Sequence, residues 1–161
     1  MKVQDLMTWE VEWCTPDSDL GSAAMTMWRK DCGFVPVVES DARKLAGVVT
    51  DRDICMAAAM QRRDPYSLRV SDVMSKKLFT CSPADDARVA LRIMREGQVR
   101  RLPVVDPKGI LQGVISLNDL ALAAQRTARP GEALPFAEVM EAIQAISKHR
   151  IQKEMMTAIP A

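Results

Sequence analysis

The sequence predicts an α/β (α+β) fold in which one β-α-β-β-α unit occurs twice and is followed by a C-terminal helix. Three observations predict it: the chain repeats itself once, each copy passes from helical spacing to short β-branched runs, and an apolar stripe at helical spacing follows the second copy. Val3-Gln4-Asp5-Leu6-Met7 recurs as Val70-Ser71-Asp72-Val73-Met74, and Cys14-Thr15-Pro16 as Cys81-Ser82-Pro83, both 67 residues on. Asp19, Ala23 and Met27 match Asp86, Ala90 and Met94, and Pro36-Val37-Val38 matches Pro103-Val104-Val105. From there the separation is 66, and Leu45–Ile54 aligns with Leu111–Leu120. The lost residue falls in a turn, Glu39–Lys44 in the first copy and the shorter Asp106–Gly109 in the second. Both are rich in residues that turns use, so a deletion there changes no core contact.

Each copy opens with a short strand. A helix over residues 17 to 30 follows, capped from Pro16-Asp17-Ser18, with Leu20, Ala23, Ala24, Met27 and Trp28 on one side. Residues 84 to 96 repeat it with Ala87, Ala90, Leu91 and Met94. Phe34–Val38 and Leu102–Val105 are short and densely apolar, as buried strands are. The next strands end at Thr50 and Ser116, and helices resume at once, through Ala59 and Ala124. The first repeat spans 1–66, the second 67–126, and 127–161 hold a linker and an amphipathic helix. In that helix Phe136, Val139, Met140, Ile143 and Ile146 form the stripe, with Glu138 and Glu141 early and Lys148, Arg150 and Lys153 late.

Composition narrows the function. At 161 residues and 48% hydrophobic, the chain has material for one ordinary domain or two very small ones sharing a core, not for a large multidomain enzyme. A net charge of +1 argues against a global attraction to nucleic acid or an anionic membrane. Only 3 Trp, 3 Phe and 1 Tyr are present, too few for a single-strand stacking platform. The start lacks a signal-peptide pattern and no segment approaches the ~18 apolar residues of a membrane span, so a soluble cytoplasmic protein is expected. Cys14, Cys32, Cys55 and Cys81 show no Cys-x-x-Cys spacing and His149 lies far from them, which removes zinc and redox-motif readings. They read as buried or half-buried small apolar residues of a reduced compartment.

A Gly-apolar-apolar-[Thr/Ser]-x-x-Asp signature in each copy, Asp-Leu-Met or Asp-Val-Met at each start and Pro-Val-Val on each middle strand together resemble the cystathionine β-synthase (CBS) domain pair, or Bateman module, over residues 1 to about 126. The resemblance implies two pseudo-twofold related CBS repeats whose sheets pack together and leave two clefts for adenosine-containing ligands. From the length, which leaves no room for a catalytic domain beside the pair, a stand-alone module of the prokaryotic type is expected.

Thr50 ends a strand and opens a helix, where a hydroxyl and unpaired backbone N–H groups can meet a phosphate, and Ser116 stands in the same place. Asp53 and Asp119, three residues on, can accept from ribose hydroxyls. The family places ribose and phosphate contacts on these positions. The same Thr-x-x-Asp and Ser-x-x-Asp patterns also satisfy a capping box, and two copies at equivalent ends favour binding for at least one. The first copy is the fuller match, since Arg52 adds a cation beside Thr50 where the second has Asn118. Val99-Arg100-Arg101 precedes the Pro-Val-Val strand, with guanidiniums that can chelate a phosphate, whereas Gly33 lies in an uncharged equivalent stretch. Arg101 is the stronger candidate of the two, and Arg88 and Arg92 are read as solvating a helix.

Trp9, Trp13 and Trp28, with Met7, Met25 and Met27, read as core packing or a protein interface. Asp51-x-Asp53 has no third ligand, base or nucleophile nearby, so no enzyme is expected. The expectation is a regulatory sensor that needs no cofactor and binds AMP, ADP or ATP, with NAD or S-adenosylmethionine ranked below. It forms a homodimer and acts on an unidentified regulated protein, without nucleic acid or membrane. The alternative is a ligand-independent interaction protein with vestigial clefts.

Overall fold

The structure, a computed structural model, describes residues 1–39, 43–125 and 134–148. In the first repeat α1 (Leu20–Arg29) leads to β1 (Phe34–Val38), β2 (Leu45–Thr50) and α2 (Asp51–Gln61). In the second, α3 (Ala87–Gly97) leads to β3 (Arg101–Val105), β4 (Leu111–Ser116) and α4 (Leu117–Ala123), and α5 (Phe136–Ser147) follows.

The two hairpins share one register. Phe34 pairs with Thr50 and Arg101 with Ser116, and the ladder shifts between Val37 and Val38 in one and between Val104 and Val105 in the other. Gly109, at φ 80°, closes the second turn in a conformation that favours glycine. There the Asp106 carboxylate accepts from the Lys108 and Ile110 N–H groups, both at 2.9 Å.

Contacts between repeats come in exchanged pairs. Thr8 bridges Val114, and Ser75, its counterpart, bridges Val48. Lys2 bridges Asp86, and Asp19 bridges Arg69. The Leu45 N–H donates to the Gly109 carbonyl and the Leu111 N–H to that of Arg43, both at 3.0 Å. Lys44 bridges Ile110, its own equivalent, so that pair sits on the pseudo-twofold axis.

Each core is completed from the other repeat. Val3 and Met7 are buried with Leu91, Met94, Leu102 and Ile115 of the second repeat. Leu68 and Val70 are buried with Leu20, Met27, Val37 and Val49 of the first.

Several expectations are corrected. The opening strand of each repeat is reduced to one parallel bridge, Cys14 to Val37 and Cys81 to Val104, because the chain turns at Pro16 and Pro83 immediately afterwards. The helix expected from residue 17 starts at Leu20. Asp19 caps it, accepting from the Ser22 N–H at 2.7 Å, a bond that lowers the carboxyl's pKa. The helix expected from 84 starts at Ala87 with Asp86 as its cap. The tail stripe is split: Val139 and Ala142 are buried on the second core with Ile143 and Ile146 beside them, whereas Phe136 and Met140 stay exposed. Lys148 lies just past the last helical residue, and Arg150, Lys153 and the linker from 127 to 133 fall outside the described residues.

Arg88 does more than solvate α3, since its guanidinium donates to Glu138 and fastens α5. The tryptophans are not core residues: Trp9, Trp13 and Trp28 are 49%, 39% and 84% exposed. Met25 is also exposed, and Met7 and Met27 are buried. Cys14 and Cys81 are buried and Cys32 half-buried, but Cys55 on α2 is exposed.

Candidate functional site

Both signature helices start with a reciprocal cap. Thr50 donates through Oγ1 to Asp53 Oδ2 at 2.7 Å and accepts from the Asp53 N–H at 3.2 Å, while the Thr50 N–H donates to the same Oδ2 at 3.0 Å. Ser116 and Asp119 repeat this at 2.7, 3.2 and 2.8 Å. The capping box expected as the alternative is therefore present twice. It does not exhaust the carboxylates, because the side-chain bonds converge on Oδ2 and leave Oδ1 of Asp53 and Asp119 to other partners.

One of the two signatures opens into a cavity of about 330 Å³ formed between the repeats. Its second-repeat wall is Arg101, Val114, Ser116, Asn118 and Asp119. The facing wall belongs to the first repeat: Thr26, Lys30, Asp31, Cys32 and the strand residues Phe34, Val35 and Pro36, with Thr8, Glu10, Val11 and Glu12 along the edge. The β3–β4 register explains why Arg101 accompanies Ser116, since the two are directly paired. Lys30 is engaged by Glu12 at 3.1 Å.

A second, more open groove of about 510 Å³ lies between α1 and α2 on Met27, Trp28, Gly33, Asp51, Ile54 and Cys55, and Arg101 also reaches it. A Cβ on Gly33 would meet the Asp51 carboxylate, so a larger residue there would have to displace that exposed side chain.

The cavity thus gathers Arg101, Ser116, Asn118 and Asp119 of the sequence candidates, and Gly33 lines the neighbouring groove. Thr50, Arg52, Asp53, Val99 and Arg100 line neither. Sequence reasoning did not select Glu10, Glu12, Thr26, Lys30 or Asp31. Lys30 and Asp31 stand just before the uncharged stretch around Gly33, and that proximity is the one signal the sequence offers.

The CBS domain family profile matches twice, over residues 3–59 and 70–126. The chain belongs to the CBS domain family. It is 37% identical over 135 residues to the Bacillus subtilis protein YlbB, covering 83% of this chain and 88% of that one. Among solved structures, the CBS-domain containing protein ATU1752 from Agrobacterium tumefaciens superposes with a TM-score of 0.68 at 31% identity, over 76% of this chain and 98% of that chain. The CBS domain pair of MJ0100, solved with 5′-methylthioadenosine and S-adenosyl-L-methionine, shares the fold at a TM-score of 0.65 and 20% identity, over 76% of this chain and 94% of that one.

In this CBS pair no helix among the described residues is long and apolar enough to cross a membrane. No cluster of metal-ligating side chains occurs among the described residues.

Proposed function

We propose that this CBS pair is a regulatory module that takes an adenosyl compound of the adenine-nucleotide class into the cleft on Arg101, Ser116, Asn118 and Asp119. Binding is passed on through the packing of the pair to a second copy of the chain or to a regulated protein. One observation carries this reading: Asp119, held by Ser116 through a single carboxylate oxygen, faces a cavity of about 330 Å³ to which both repeats contribute walls. That volume is within the roughly 300–1,000 Å³ of small-molecule sites. Phe34, Val35 and Pro36 offer an apolar wall for a base, and Asp119 an acceptor for ribose hydroxyls. The MJ0100 pair supports the view that this fold can hold adenosyl compounds. Thr50, Arg52 and Asp53 remain candidates for a second, equivalent position. No step of chemistry and no cofactor is needed for this role, and four free cysteines accord with a reduced cytoplasmic setting.

The test is a thermal-shift series with AMP, ADP, ATP, NAD and S-adenosylmethionine. A ligand that binds only the folded chain raises its stability by linkage, so at least one compound raises Tm. No shift with any of them favours the second reading, an interaction protein, which the exposure of Trp28 at 84% and Met60 at 66% supports.

A further inference from the structure

We infer that the Ser116 cleft admits an adenosyl ligand bearing no more than one phosphate, a limit that rests on the adenosyl reading above. The inference comes from which charges in the cleft are already compensated. Of its two cations, Lys30 is held by Glu12 at 3.1 Å. Arg101 has no carboxylate of the described residues within 4.0 Å and is the cation left to meet an anion. Against it stand Glu10, Asp31 and Asp119, three cleft carboxylates without a salt bridge among the described residues. One phosphate can be met by the Arg101 fork. Each further phosphate brings negative charge toward a cleft whose carboxylates outnumber its one unpaired cation, and because Glu10 and Asp31 are exposed this repulsion is strongest at low salt.

The fold does not dictate these charges. The pseudo-twofold places Lys77 and Gln98 where the cleft has Glu10 and Asp31, and Phe79 where it has Glu12. In the second repeat the Lys77 ammonium lies 5.5 Å from the Phe79 ring centroid, and Phe79 packs on Gly97, the counterpart of Lys30. The acidic edge is therefore a property of this one cleft, carried by side chains that the same backbone replaces elsewhere.

The experiment is calorimetric titration of the full chain with adenosine, AMP, ADP and ATP in magnesium-free buffer, at low salt and again at about 0.5 M salt, where the Debye length falls to roughly 4 Å. AMP is expected to bind at least tenfold more tightly than ATP at low salt, and the gap is expected to narrow at high salt and in the double variant Glu10→Gln/Asp31→Asn. Asn suits the positive φ of 48° at position 31, so that variant is compatible with the backbone. ATP binding as tightly as AMP in the wild type overturns the one-phosphate limit and leaves the adenosyl reading standing. No binding by any of the four, nor by NAD or S-adenosylmethionine titrated alongside, overturns the adenosyl reading, and the limit with it.

Discussion

Arg88 grips Glu138 with one nitrogen, its Nε donating to both carboxylate oxygens at 3.1 and 3.3 Å. The pair ties α5 to the start of α3, while the Gln98 amide donates to the Ala145 carbonyl at 3.2 Å near the other end. Both side chains of the ion pair are about a third or more exposed, at 34% and 41%, so its contribution is modest. A double-mutant cycle of Arg88→Ala and Glu138→Ala, read by urea unfolding, should give a coupling of about 0.5–1 kcal/mol that shrinks with added salt.

Gly113 and Gly47 are equivalent positions with unequal room. A Cβ on Gly113 would run into the Thr8 carbonyl, which is fixed by the Val114 N–H at 3.0 Å. A Cβ on Gly47 would stand 2.9 Å from Met74 Sδ, the more mobile part of a flexible side chain, and 3.1 Å from the Ser75 carbonyl. Gly113→Ala should therefore cost about 2–3 kcal/mol and Gly47→Ala about 1 kcal/mol, measured as shifts in the unfolding midpoint.

Burial pushes the Cys14 thiol up to about 11 and the Cys81 thiol up to about 12, with the Asp85 charge adding to the second. The folded state then keeps these protons above the ordinary thiol range of about 9, where the unfolded chain releases them. Their contribution to stability is complete below that range and is lost as pH rises through it toward 11 and 12. Urea midpoints should fall between these pH values, less steeply in Cys14→Ala/Cys81→Ala. At pH 8 a thiol reagent should modify exposed Cys55 readily and reach Cys14 and Cys81 only after unfolding.

Asp119→Ala and Asp53→Ala remove equivalent caps, so they should lower Tm by similar amounts. Only Asp119 faces the described cavity, and its loss should weaken ligand binding tenfold or more, about 1.4 kcal/mol, with a smaller effect from Asp53. Equal losses of affinity would assign both signatures to ligands.

The apolar groups left in water on the first repeat's helices, Met25 and Trp28 on α1 and Met56 and Met60 on α2, are expected to meet a second copy. Light scattering should give twice 17.9 kDa, and Trp28→Glu should return the mass toward that of one chain.

Much of the architecture was legible because local rules and packing agree. Phe34–Val38 is a strand where its β-branched run ends, and the strands closing at Thr50 and Ser116 stop where a capping hydroxyl starts a helix. The opening strands were not legible, because a single bridge at Cys14 or Cys81 depends on a partner strand that local sequence does not display. The cleft was half legible. Ser116 and Asp119 belong to a motif, but Lys30 and Asp31 enter only because the first repeat's α1–β1 junction faces the second repeat's signature. That is a long-range fact with no periodicity of its own.

The exchange of Val3–Met7 for Leu68–Met74 between the two cores means that neither half is a self-sufficient folding unit. Expressed alone, residues of one repeat would present an uncovered apolar seat, and a second copy of the same half could fill it only by lending its own leading segment. The tandem chain is then an obligate dimer made covalent, its partner always present at the effective concentration that the connecting loop imposes. A cut in the exposed stretch from Arg62 to Asp64 would leave the two pieces clasped, and they should melt in one transition.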